Sequence, residues 1–193
     1  VTLDITGKTI TMVTDDDSKY AMILNYGNLT IVGDGKLSYH YTGSNNSDAF
    51  NTVESAPGSV LTVKGGTIEN LSDNCLIAYA IDGLTNGNGG DVTVNIEGGK
   101  ISSKKIAVRI FANSTTNTGN LNISGGEISG RVIIQSSNAS ANKAALNITG
   151  GTIEGGNQAI NIGTDGSANI DVTISGTATV KGALKGEGAD FAI

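Results

Sequence analysis

The longest run of carboxylates in the chain is Asp15-Asp16-Asp17. Three carboxylates in a row can offer oxygen ligands to a hard cation. The same composition is common in a solvated turn, and a turn is the expectation, with no metal site assigned. A second cluster is aromatic. Four of the five tyrosines, Tyr20, Tyr26, Tyr39 and Tyr41, fall in the first 41 residues around His40, the only histidine. Sugar rings stack on exposed aromatic faces, so Tyr20, Tyr26, Tyr39, His40 and Tyr41 are candidate ligand-binding residues. Strand alternation sets Leu37, Tyr39 and Tyr41 on one face and Ser38 and His40 on the other, which favours packing for Tyr39 and Tyr41. The single cysteine, Cys75, sits in the apolar run Cys75-Leu76-Ile77-Ala78. It excludes an internal disulfide framework and a cysteine-based zinc site, and a buried position suits it.

The elements that carry these residues emerge when the chain is aligned to itself. "LTVKGGTIEN" from Leu61, "VNIEGGKISS" from Val94, "LNISGGEISG" from Leu121 and "LNITGGTIEG" from Leu146 are copies of one motif. Looser copies start at Leu3, Leu29 and Val172. The apolar residue two before the first glycine serves as an anchor: Ile5, Ile31, Val63, Ile96, Ile123, Ile148 and Ile174, spaced by 26, 32, 33, 27, 25 and 26 residues. Apolar residues alternate around each anchor with period two, the signature of a strand with one buried face. The glycines mark a bend, and a further strand-like run follows in most copies, such as "CLIAYAI" from Cys75 and "IAVRIFA" from Ile106. Helical periodicity is missing throughout. The expected fold is all-β: a right-handed parallel β-helix solenoid of about seven coils with three short strands per coil. Residues 1–193 form a single domain, expected to be a segment of a longer protein.

Stacked coils turn equivalent positions into rows. One outward row should run Asp4, Thr30, Thr62, Asn95, Asn122, Asn147 and Thr173, with Asn and Thr side chains bonding along it. A flat polar row could also contact a glycan, which makes Asn95, Asn122 and Asn147 candidate ligand-binding residues. Charges align as well: Lys64 should face Glu97, and Lys100 should face Glu127, as exposed pairs.

The "xIxGGxI" coils resemble the right-handed β-helices of the pectate-lyase-like superfamily. In style they are similar to the glycine-rich helices of phage fibre and head-decoration proteins and of bacterial surface adhesins. The resemblance implies an architecture and says little about activity. Enzymes of that superfamily carry calcium-binding acids with a catalytic Arg or Lys, or clustered aspartates with a histidine and a basic pair. His40 lacks the glycine neighbours of the hydrolase motif, and Arg109 and Arg131 lie 13 and 8 residues after their anchors, so they should not share a row. No catalytic residue carries over, and no cofactor is expected. "TNGNGGD" at residues 85–91 resembles a calcium-binding glycine-rich repeat but occurs once, where tandem copies are needed.

Twelve basic against eighteen acidic residues give a net charge of −6. No concentrated basic face is available to displace counterions from phosphate, so no nucleic-acid partner is expected. No apolar run nears the roughly 18 residues of a membrane span, so no membrane insertion is expected. Two functions compete. The first is a non-catalytic structural or adhesive module of a virion fibre or decoration protein, on a virion or cell surface, contacting host-surface glycans. The second is a carbohydrate-active enzyme, a polysaccharide lyase or hydrolase, working from loops at residues 42–59 and 82–91, which are rich in Ser, Asn and Gly. Solenoid ends present unpaired strand edges. A homo-oligomer, with a trimer favoured, is therefore expected, with Phe191 and Ile193 near a buried contact.

Overall fold

The computed structural model describes residues 1–45, 47–86, 89–136, 143–164, 169–186 and 190–192, the side chains of Thr164, Asp190, Phe191 and Ala192 apart. The first three passes each hold three strands: β1 (Thr2–Asp4), β2 (Thr9–Thr14) and β3 (Ala21–Asn25); β4 (Asn28–Val32), β5 (Lys36–Tyr41) and β6 (Ala49–Ser55); β7 (Val60–Val63), β8 (Thr67–Asn70) and β9 (Ile77–Asn86). The next two passes hold two each: β10 (Val92–Ile96) and β11 (Lys100–Asn113), then β12 (Thr118–Ile123) and β13 (Glu127–Ser136). Three strands return in β14 (Lys143–Ile148), β15 (Thr152–Glu154) and β16 (Ile160–Thr164), and in β17 (Asn169–Ile174), β18 (Thr179–Lys181) and β19 (Leu184–Gly186), before β20 (Asp190–Ala192).

Every strand pairs in parallel with its counterpart one turn away, not with its neighbour in sequence. One face is the sheet β1-β4-β7-β10-β12-β14-β17-β20. The other sheet has two limbs, one starting at β2, β5 and β8 and one at β3, β6 and β9, and both join the long β11. The chain is thus an all-β parallel solenoid of about six turns, the number of intervals that seven anchors enclose. The second and third strands are separate in most passes but fuse in β11 and β13. Ser103–Lys105 bulge out of β11 at the joint, between the register pairs Ser102↔Ser129 and Ile106↔Arg131.

Period-two alternation buries one column of side chains along the solenoid. Leu121 stands over Leu146, Ile123 over Ile148, Ile128 over Ile153 and Val132 over Ile160, and all eight are at most 1% exposed. These apolar residues lie on one another at the spacing of stacked parallel strands, about 4.8 Å. At the first corner the register differs from the expectation by two residues: Leu3, not Ile5, pairs with Ile31, and Asp4 pairs with Val32. The corner holds extra residues, and Ile5 is tucked inside it, fully buried. Asp4 therefore leaves the polar row and instead accepts hydrogen bonds from the Thr6 amide and hydroxyl.

A smaller apolar cluster sits beside the main core: Tyr39, Tyr41, Phe50, Cys75 and Ala78. Tyr41 and Phe50 stack with ring centroids 3.7 Å apart. Residues 42–59, read from sequence as a loop, contain β6, and residues 82–91 contain the end of β9. Both strands are covered on both faces, so the alternation that betrays a half-buried strand is lost.

Replacing Ile148 by Asp puts an unpaired carboxylate in the middle of the buried column. The variant should lose at least about 4 kcal/mol, read as collapse of the thermal transition. A melting temperature within a degree or two of the parent would contradict the stacking.

Candidate functional site

The polar row of the first face is a side-chain ladder. Asn147 donates from Nδ2 to Asn122 Oδ1 at 3.0 Å, and Asn122 to Asn95 Oδ1 at 2.9 Å. Asn95 reaches Thr62 Oγ1 at 3.4 Å. The carbonyl oxygens of Asn95 and Asn122 are thus spent on their neighbours. Lys64 meets Glu97 at 3.5 Å and Lys100 meets Glu127 at 2.9 Å, as the repeat alignment predicts. These pairs are largely exposed and contribute little to stability.

The limb formed by β3, β6, β9 and β11 is different. Here Leu24, Glu54, Asp82 and Arg109 fall in register, one per coil. Arg109 donates from Nε to Asp82 Oδ1 at 2.8 Å and from Nη2 to Asp82 Oδ2 at 2.7 Å. This bidentate fork occupies both carboxylate oxygens. The guanidinium carbon lies 4.3 Å from the Tyr79 ring centroid and 5.3 Å from that of Phe111. Asp82 is 1% exposed. Burial pushes its carboxyl up, against the pull of the guanidinium beside it. Burial likewise raises the Tyr79 phenol to about 12.

Glu54 stands one coil away. Its Oε2 accepts a hydrogen bond from Asn51 Nδ2 at 2.8 Å. Burial, then the charge of Asp82, raises the Glu54 carboxyl above its usual range, while Asn51 and Arg109 oppose the rise. Asn51 is 1% exposed, and its Oδ1 has no hydrogen-bond partner. Buried acceptors without partners are rare in folded proteins. These residues lie in a cleft of about 370 Å³, with Asn51, Glu54, Asp82 and Arg109 contributed by the strands. Asp17, Tyr20 and Asp48 complete it on the polar side, Ala49 and Leu84 on the apolar side. Tyr20 lines the same cleft as Glu54, whose negative charge is the first cause raising its phenol.

Of the candidate ligand-binding residues read from sequence, Tyr20 alone lines this cleft, and Asp17 of the acidic triplet joins it. Tyr26 is 72% exposed and lies in a separate hollow with Val1, Leu24 and Leu29. Tyr39 and Tyr41 are at most 1% exposed and offer no free ring face. The Tyr41 hydroxyl donates to Asp17, so it fixes part of the cleft wall from behind. His40 is half-buried on β5, in register with Val13, away from the cleft. Asn95, Asn122 and Asn147 lie on the other sheet. In the acidic triplet, Asp16 accepts the Ser18 amide within a turn. The 85–91 segment includes residues 87 and 88, outside the described residues, as is Ile193. Among the described residues no group of three or more His, Cys, Asp or Glu is placed to hold a metal ion.

Sequence reading missed Asn51, Glu54 and Asp82, because the segments assigned to loops proved to be strands. One signal was available: Glu54, Asp82 and Arg109 are 28 and 27 residues apart, close to the coil period. Farther along the same limb a second hollow, of about 340 Å³, carries the opposite charge, with Lys104, Lys105 and Arg131 around it. Arg131 donates to Gln158 there at 3.1 Å, and it pairs in register with Ile106, not Arg109. The chain matches no known family model, no curated protein and no solved structure.

Two stability measurements follow from the cleft. Arg109→Ala leaves Asp82 buried without its partner and should cost about 3–5 kcal/mol in urea unfolding; a loss below 1 kcal/mol would contradict the pairing. A carboxyl raised by folding makes its ionised form a cost at neutral pH, and that cost disappears below the unfolded value of about 4.3. Glu54→Gln should therefore melt above the parent at pH 7, with the gain shrinking as pH falls and absent near pH 4. A gain that grows towards low pH would show the opposite shift.

Proposed function

We propose that this chain is a non-catalytic structural and adhesive β-helix module that contacts surface glycans through the Glu54 cleft. The observation that supports it is the fixed polar surface of that cleft. Asp82 has both oxygens engaged by Arg109, and the guanidinium lies against two aromatic rings. Such a cluster holds its shape and presents hydrogen-bonding groups in a set geometry, which is what recognition needs. A rigid parallel stack is also a suitable mount for a contact surface on a virion fibre, a decoration protein or a cell-surface adhesin. A trimer fits this role, because association covers strand edges and faces that a thin solenoid leaves open.

The enzyme reading has one observation in its favour. Glu54 is a carboxyl raised by burial and by Asp82, the type of group that serves as a general acid in glycan cleavage. One paired experiment separates the two. The protein is screened on a glycan array and, in parallel, incubated with a panel of polysaccharides assayed for new reducing or unsaturated ends. Binding without cleavage, weakened by Glu54→Gln and unaffected by Asn122→Ala, is the expected result. Cleavage abolished by Glu54→Gln would establish the enzyme instead. Binding lost in Asn122→Ala but kept in Glu54→Gln would move the contact to the amide ladder.

A further inference from the structure

We infer that the Glu54 cleft recognises an ammonium group, that of an unacetylated amino sugar within a glycan. The inference rests on the glycan-contact reading and narrows it to one class of sugar.

Charge favours a cation. Among the described residues that line the cleft, Asp17, Asp48, Glu54 and Asp82 stand against a single cation, Arg109. That cation is already committed, since Nε and Nη2 both bond Asp82 at 2.8 and 2.7 Å. An anionic sugar, a uronate or a sulfate ester, would meet net repulsion at low dielectric. A cation would be attracted by the same field.

The hydrogen-bond inventory favours a donor. Asn51 is 1% exposed, and its Oδ1 has no partner, while its Nδ2 is held on Glu54 Oε2. Asn51 lines the cleft, so the cleft wall holds a desolvated acceptor close to the carboxylate of Glu54. An ammonium carries three donors and no acceptor, the complement of this pair. Leaving a buried acceptor empty is costly, and a donor-bearing ligand removes that cost on binding.

Shape and surface favour a sugar-borne ammonium over a bare ion. Tyr20 is 39% exposed and lines the cleft with Glu54, and Ala49 and Leu84 supply an apolar wall. A ring face attracts a cation and also packs against a sugar's C–H face. A bare metal ion would use neither, and the carboxylates are not grouped closely enough to ligate one.

Binding should depend on pH through Glu54. The groups around it are Asp82 on β9, Arg109 on β11, Tyr20 ahead of β3, Asn51 on its own strand, and Asp17 and Asp48 in the cleft wall. Protonating Glu54 removes the charge nearest to Asn51, so affinity should fall as pH drops through its raised value.

The test is calorimetry on the intact protein with three tetrasaccharides of matched length: glucosamine, N-acetylglucosamine and a glucuronate-containing chain. A tetralysine peptide serves as a charge control. Glucosamine should bind at least tenfold more tightly than the N-acetylated chain, with no detectable binding of the glucuronate chain. Glu54→Gln should lose at least tenfold for glucosamine, and Asp48→Asn a smaller factor, with unchanged circular dichroism; the second variant decides the matter if the first misfolds. Equal binding of the acetylated and unacetylated chains would overturn the inference while leaving glycan contact intact. Tetralysine binding as tightly as glucosamine would overturn it in favour of a basic peptide partner. Failure of every sugar, here and on the array, would remove the glycan reading itself.

Discussion

At the Gly-Gly corner of four successive coils, residues 65–66, 98–99, 125–126 and 150–151, the backbone passes so close to the coil before it that no side chain fits between them. A Cβ built on Gly98 would stand 2.6 Å from the carbonyl oxygen of Lys64, and one on Gly150 2.4 Å from that of Ser124. The next residue must then turn with positive φ, +83° at Gly99 and +78° at Gly151, a conformation glycine adopts without strain. This double requirement, close approach and then reversal, fixes where each coil begins relative to its neighbour. A one-residue slip would turn every buried isoleucine outward, so the corner and the apolar column enforce the same register. The Asn ladder and the Lys–Glu pairs follow from that register.

The limb of β3, β6, β9 and β11 inherits its register from the corners, although the segments between them vary in length. Coils two and three are longer than the rest, yet Val53, Ile81 and Val108 still stack, and so do Glu54, Asp82 and Arg109. Burying this charged row has a cost. A buried ion pair is weak evidence for stability, because desolvation offsets much of the attraction. Glu54 adds a second, raised carboxyl and Asn51 an unbonded oxygen. A regular apolar row in the same place would suit a purely structural coil better. Departures of this kind from an otherwise consistent pattern concentrate at sites kept for function.

The parts of the fold that were legible from sequence are those where one face is buried and the other wet. Leu121-Asn122-Ile123 and its equivalents announce themselves by alternation, and the offset from each anchor located the partners of Lys64 and Lys100. The first corner was misjudged because Leu3 and Ile5 both satisfy the alternation, and a single Gly7 leaves the choice open. Asn51, Glu54 and Asp82 stayed hidden for a different reason. Their strands are covered on both sides, so "AFNTVES" shows no period. Their distances from the anchors, 23 for Glu54, 19 for Asp82 and 13 for Arg109, drift with loop length. Only the spacing between the third strands themselves preserves the coil period. The tyrosines were conspicuous by type, but hydrophobicity took Tyr39 and Tyr41 into a core where their hydroxyls bond Lys19 and Asp17.

The dependence on the corner can be measured with two alanine substitutions that look alike in sequence. A Cβ on Gly125 would lie 2.4 Å from the Glu97 carbonyl oxygen, whereas one on Gly27 meets nothing within 4 Å and needs no positive φ. Thermal melts of Gly125→Ala and Gly27→Ala should therefore diverge. The first should fall well below the parent, because two coils must separate to admit one methyl group. The second should match the parent or slightly exceed it, since alanine reduces the freedom of the unfolded chain. Equal melting temperatures for the two variants would contradict the close stacking of coils on which the register of the cleft depends.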